Sequence, residues 1–129
     1  MRIVKLSELE GMAFPTGRVT RVLTGRDLLP TQNFTAGYVV IRPGGTIPPH
    51  THSNEEIYIL VKGRAKLVVA SEETTVEAVS GVYIEPDSEH ALENVGEEDA
   101  IMIFVYSPAG VVDHWAHEME AGSGGKRDG

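Results

Sequence analysis

No apolar run in this chain is long. Up to Pro108 the runs are short, rich in Val, Ile and Tyr, and cut at close intervals by Gly, Pro, Asn or Asp. A helix long enough to pack needs apolar residues recurring at i, i+3 and i+4 over several turns, and no segment before Pro108 supplies them. Short β-branched and aromatic runs between turn formers suit half-buried strands, and their close spacing is the rhythm of an all-β sandwich or barrel. Strands are expected near residues 3–5, 19–23, 34–42, 57–61, 65–70, 74–78, 82–84, 90–94 and 100–105. Lys62-Gly63-Arg64 and Ser71-Glu72-Glu73 read as hairpin turns, and Gly44-Gly45 followed by Pro48-Pro49 reads as a stiff irregular loop.

A chain of 129 residues fits one domain, expected over residues 1–121 with a barrel core at about 19–106. Residues 111–121 read as a short C-terminal helix, because Val112, Trp115 and Met119 fall at i, i+3 and i+7. Such a stripe needs a cover, either across the barrel mouth or at a subunit boundary. His114, His117 and Glu118 then fall on a solvated face, which is the plainer reading than a second metal site. Residues 122–129 have nothing to bury and read as a flexible tail.

Charge and cysteine content narrow the partners. Eleven Lys and Arg against 19 Asp and Glu give a net charge of −8, which repels nucleic acid and anionic lipid surfaces. The longest apolar stretch, residues 100–106, is too short to span a bilayer, and Met1-Arg2-Ile3-Val4-Lys5 has no apolar segment behind it. The expectation is a cytoplasmic protein with no membrane or nucleic-acid partner. Without cysteine, any bound metal must be held by His, Asp or Glu.

Two of the five histidines form His50-Thr51-His52, after the Pro-Pro loop and just before Ser53-Asn54-Glu55-Glu56. On an extended segment residues i and i+2 share a face about 6.6 Å apart, so two imidazoles can converge on one ion at roughly 2.0 Å each. A tight turn at Ser53-Asn54 returns the Glu56 carboxylate beside them. His90 heads another short strand, which a closed barrel can present from the facing wall. Together His50, His52, Glu56 and His90 make a first shell for one divalent transition metal. Glu55 is the alternative carboxylate if the turn is one residue shorter, but strand parity puts Glu56 on one face with Tyr58 and Leu60. The same parity makes Tyr58, Leu92 and Asn94 candidates for the pocket wall, with Tyr58 the candidate catalytic group for proton transfer. Arg18, Arg21, Arg42 and Lys62 are candidate anchors for an acidic ligand, against the plainer reading of each as a solvated strand residue.

The spacing also carries a resemblance. Gly44, five residues, His50, one residue, His52, three residues, Glu56, six residues and Gly63 match without a gap the first motif of the cupin family. Residues 81–94, with Pro86, His90 and Asn94, are similar to the second motif. They depart from it in having four residues rather than five between Gly81 and Pro86, Ser88 in place of a glycine, and His90 one residue early. From about residue 19 to 106 the chain resembles a small single-domain cupin. The resemblance implies a double-stranded β-helix, or jelly-roll barrel, with a metal inside its open end, and it leaves the reaction open.

Three His and one Glu leave one or two coordination positions for a ligand, and suit iron, manganese, nickel, cobalt and zinc alike. The leading expectation is a metalloenzyme that uses the ion as a Lewis acid on a small oxygen-rich metabolite, such as a sugar acid or a hydroxy- or keto-acid. Isomerisation, elimination or decarboxylation would follow. One alternative is an iron(II)-dependent dioxygenase on the same site, and another is a non-catalytic module that captures a small molecule. Exposed edge strands and a flat apolar outer face point to a homodimer.

Overall fold

Where the sequence alternates between apolar and polar residues, the backbone is extended and its apolar side turns inward. The computed structural model describes residues 1–110 together with Trp115, Glu118 and Met119. The strands are β1 (Met12–Phe14), β2 (Arg18–Val22), β3 (Thr35–Ile41), β4 (Thr46–His50) and β5 (Glu55–Lys62). After them come β6 (Arg64–Val69), β7 (Glu72–Glu77), β8 (Ser80–Ile84), β9 (His90–Asn94) and β10 (Ala100–Ser107). They form two sheets, one of six strands in the order β1-β2-β3-β10-β5-β8 and one of four in the order β4-β9-β6-β7. Every pairing between these strands is antiparallel. This is the all-β, antiparallel architecture that the sequence led us to expect.

The core lies between the sheets. From the larger one β3 and β10 contribute Val39, Ile41, Met102 and Phe104, all nearly inaccessible, and from the smaller one come Ile47, Ala65, Leu67 and Leu92. Full burial of a side chain of the Val, Leu, Ile, Phe or Met type stabilises by about 1.5–3 kcal/mol, so this face dominates the energetics of the fold. No helix among the described residues is long and apolar enough to cross a membrane.

The glycines of the two motifs behave differently. Gly44 and Gly63 lie in turns with φ of +79° and +99°, a region that L side chains enter only with strain. Gly81 sits inside β8, and a Cβ built there would meet only the Tyr58 carbonyl, at 4.0 Å. Nothing steric demands a glycine at that position, which is also where the second motif departs from the family spacing.

Several local expectations are corrected. Residues 3–5 form no strand: Ile3 is exposed, no partner strand pairs with it, and the next element is a short 3-10 turn at Leu6–Glu8. β-branched residues do not hold a strand without a neighbour to ladder with. Conversely, β1 and β4 occupy segments expected to be loop. β4 contains Pro48 and Pro49, which an edge strand tolerates, and its register with β9 shifts between Ile47 and His50. The turn expected at 71–73 is formed by Ala70 and Ser71, both with positive φ, and Val69 pairs directly with Glu72. Apart from Trp115, Glu118 and Met119, the helix expected over 111–121 lies outside the described residues. The tail at 122–129 and the pair His114 and His117 lie wholly outside them. Met119, assigned to the buried stripe, is 39% exposed, whereas Trp115 is 7% exposed and packs edge-on against Phe104 and Tyr106.

Candidate metal centre

Strand pairing brings the histidines together. His50, the last residue of β4, lies directly opposite His90, the first residue of β9. Their ring centroids are 4.0 Å apart, and those of His52 and His90 are 4.9 Å apart. One ring nitrogen from each of His50, His52 and His90 falls within 4.8 Å of the others. Glu56 reaches the group from β5 in the facing sheet, with Oε1 3.0 Å from His52 Nε2 and 3.4 Å from His90 Nε2. Parity settles which glutamate faces in: Glu56 is buried with Tyr58 and Leu60, while Glu55 is exposed and accepts a hydrogen bond from the Tyr83 hydroxyl.

Each imidazole is oriented by its own loop. His50 Nδ1 donates to the Pro48 carbonyl at 2.7 Å, His52 Nδ1 to the Asn54 carbonyl at 3.2 Å, and His90 Nδ1 to the Ser88 carbonyl at 2.8 Å. A backbone carbonyl can only accept, so the proton sits on Nδ1 in all three rings and Nε2 is the nitrogen available as a ligand. His52 has a carbonyl on one nitrogen and a carboxylate on the other. Its pKa is raised, first by the bond to Glu56, against the opposing effect of burial. Burial pushes Glu56 upward, but the hydrogen bond with His52 and the nearness of the His90 ring, 3.4 Å away, outweigh it and hold the carboxyl below its usual value.

The donor set fits a metal ion. His90 is 1% exposed, and its Nε2 makes no hydrogen bond among the described residues. A buried nitrogen left in this state costs about 1–3 kcal/mol, which coordination would recover. Three Nδ1-anchored imidazoles beside a carboxylate are a nitrogen and oxygen set suited to divalent first-row metals.

The centre opens into a cavity of about 20 Å³, room for one water-sized body. Its wall includes Tyr58, Phe104, Tyr106 and Trp115, and Arg18 supplies a cation. Tyr58 stands 6.0 Å from the His90 ring, and its phenol pKa is driven well above 10, by burial first and the Glu56 charge second, with the Arg18 charge opposing. Of the other wall candidates, Leu92 belongs to the core rather than to this cavity. Asn94 is buried as a brace, donating to the Ile41 and Glu98 carbonyls and accepting from the Gly96 amide. Among the four cationic anchors only Arg18 lines the cavity, since Arg21 bonds the Leu9 carbonyl, Arg42 is exposed and Lys62 pairs with Glu98 in solvent. Phe104 and Tyr106 escaped the sequence reading, although the inward parity of β10 marks both. Glu118, expected on a solvated face, is half-buried and ion-paired with Arg18.

The sequence profile of the cupin domain matches residues 37–106. Over 108 residues, 83% of this chain and 70% of the relative, the chain is 33% identical to the polyketide synthase CurC of Streptomyces cyaneus. The crystal structure of a predicted oxalate decarboxylase from Thermotoga maritima has a TM-score of 0.74 at 17% identity, covering 82% of this chain and 98% of the other. The polyketide cyclase RemF from Streptomyces resistomycificus has a TM-score of 0.72 at 18% identity, covering 83% of this chain and 79% of the other. At these identities the two solved structures speak for the fold alone.

Proposed function

The chain belongs to the cupin family, and on that footing we propose that it is a metal-dependent enzyme acting on a small oxygen-rich ligand at His50, His52, Glu56 and His90. The observation that carries this reading is the buried His90 Nε2 without a hydrogen bond, beside two more Nδ1-anchored imidazoles and a carboxylate. A divalent ion bound there supplies Lewis acidity to a ligand carbonyl or hydroxyl oxygen, easing proton loss from the neighbouring carbon. The name of the 33% identical relative supports a polyketide-type ligand, whose spaced carbonyl groups form the chelating, acidic compound such chemistry needs.

The protein's own groups supply the rest. The backbone carbonyls of Pro48, Asn54 and Ser88 fix the three ring orientations before anything binds, so no reorganisation is needed at the moment of reaction. Tyr58 keeps its proton at neutral pH because burial and Glu56 disfavour the phenolate, so it acts at its hydroxyl as a donor to developing negative charge. Phe104, Tyr106 and Trp115 give the cavity an aromatic wall. A second copy pairs on the β5–β8 face, where Ile57, Val61 and Tyr83 stand exposed, and light scattering should return a dimer mass; a monomer at high micromolar concentration rejects that assembly.

Elemental analysis and turnover test the reading. His52→Ala should lose the metal, and Tyr58→Phe should keep it while slowing turnover by about 100-fold or more. Wild-type metal content in His52→Ala overturns the ligand set. Oxygen consumption by the iron-loaded chain would assign the site to a dioxygenase, and tight ligand binding without turnover would make it a binding module.

A further inference from the structure

Arg18, which lines the cavity, forms with Glu118 a second charged cluster, which the chemistry above does not use. Arg18 points inward from β2, its side chain 2% exposed, and its Nη2 donates to Glu118 Oε1 at 2.7 Å while its Nη1 donates to Oε2. The Thr16 hydroxyl also donates to Oε2, at 2.7 Å. The guanidinium is held independently of Glu118. Nη1 contacts the Thr16 hydroxyl at 3.0 Å and the Thr46 carbonyl at 3.2 Å, and the Phe14 ring lies 4.0 Å beneath the guanidinium carbon. Every one of these supports belongs to the barrel framework. Glu118 instead arrives from beyond the last strand, 100 residues along the chain, on the same stretch that brings Trp115 to the cavity.

A planar guanidinium fixed in this way accepts any carboxylate in two parallel hydrogen bonds. The cavity that Arg18 and Trp115 line holds one water-sized body, so a larger ligand has to displace part of what surrounds it. Exchanging one carboxylate for another keeps the buried cation paired throughout, whereas a neutral ligand would strand it. We propose that Arg18 is a carboxylate-binding site and that Glu118 is its resident internal occupant. An acidic ligand enters by taking the place of Glu118 on Arg18, and Trp115 is displaced with it. The exchange makes the site selective for anions in a chain whose net charge is −8.

The probe is propionate, the free-standing counterpart of the Glu118 side chain. The full chain is titrated as purified and after chelator treatment, at ionic strength held constant with sodium chloride. Binding is read by calorimetry and by the fluorescence of the single tryptophan, Trp115. Wild type should bind weakly, Glu118→Gln at least about tenfold more tightly because its internal competitor has lost its charge, and Arg18→Gln not at all. Equal affinity in wild type and Glu118→Gln, or unchanged binding in Arg18→Gln, overturns the proposal. Should the unpaired arginine keep Glu118→Gln from folding, Glu118→Asp retains the charge and shortens its reach by one methylene. It should bind propionate more tightly than wild type, and no gain overturns the proposal. The inference does not rest on a bound metal. Failure in the chelator-treated chain removes the Arg18 site and leaves the metal reading standing, and full metal content in His52→Ala does the reverse.

Discussion

The two ends of β9 bury polar side chains to the same degree and treat them in opposite ways. His90 and Asn94 are each 1% exposed, four residues apart on one face of the strand. Asn94 has both amide hydrogens on carbonyls, those of Ile41 and Glu98, and its oxygen accepts from Gly96. Its backbone carbonyl and amide are paired with Gly44 and Gly45 as well, so this end ties the neighbouring loops to the strand. His90 has one nitrogen tied to the Ser88 carbonyl and the other turned without a hydrogen bond toward Glu56, His50 and His52. A buried polar residue with every partner made holds a fold together. One with a partner missing weakens the fold slightly and keeps a position for something that binds.

Replacing His90 should therefore produce the largest effect on binding and the smallest on the metal-free fold. His90→Ala is expected to lower metal affinity by on the order of 100-fold or more while leaving chelator-treated stability close to wild type, measured by metal titration and urea unfolding. Asn94→Ala should do the converse, destabilising by about 3 kcal/mol, at about 1 kcal/mol for each of three lost hydrogen bonds, with metal affinity nearly intact. If the metal-free chain suffers more from His90→Ala than from Asn94→Ala, the contrast between the two ends is wrong.

A smaller effect, sensitive to pH, sharpens the same contrast. In the metal-free chain the stability from His52, whose pKa is raised above 6.5, is present below 6.5 and lost as pH rises through the raised value. The stability from Glu56, whose pKa is lowered below 4.5, is present above 4.5 and lost as pH falls through the lowered value. Their contact therefore helps most between about pH 4.5 and 6.5 and weakens as pH rises through the raised His52 value. Bound metal reverses the slope, because protons compete for the imidazoles and stability then rises with pH across the same interval. Thermal melts with and without chelator should show opposite trends, and parallel trends would separate His52 from the metal.

Much of the barrel was legible because period-two alternation is a local signal. β9 begins and ends where the sequence places it, and the inward parity of Glu56 and Tyr58 follows from counting along β5. The ligand spacing was legible too, since His50, His52 and Glu56 sit within seven residues of one another. What escaped depends on partners distant in sequence. β4 looks like a loop because its prolines hide a strand that only pairing with β9 defines. Ile3 looks like a strand residue because propensity cannot report the lack of a neighbour. Glu118 looks solvated because nothing near it announces Arg18, and Arg18 was one of four equivalent cations until the barrel placed it inside.

Pro48 and Pro49 have a last consequence, for what the rim of the site cannot do. β4 is the outer strand of its sheet, and such a margin ordinarily offers a row of amide hydrogens on which another chain can grow. Two consecutive residues without an amide hydrogen interrupt that row just before His50, and the register shift there bends the strand away from a regular ladder. The rim nearest the histidines is thereby a poor template for fibril growth. The same stiffness that aims an imidazole also guards the chain against self-association at its most reactive edge.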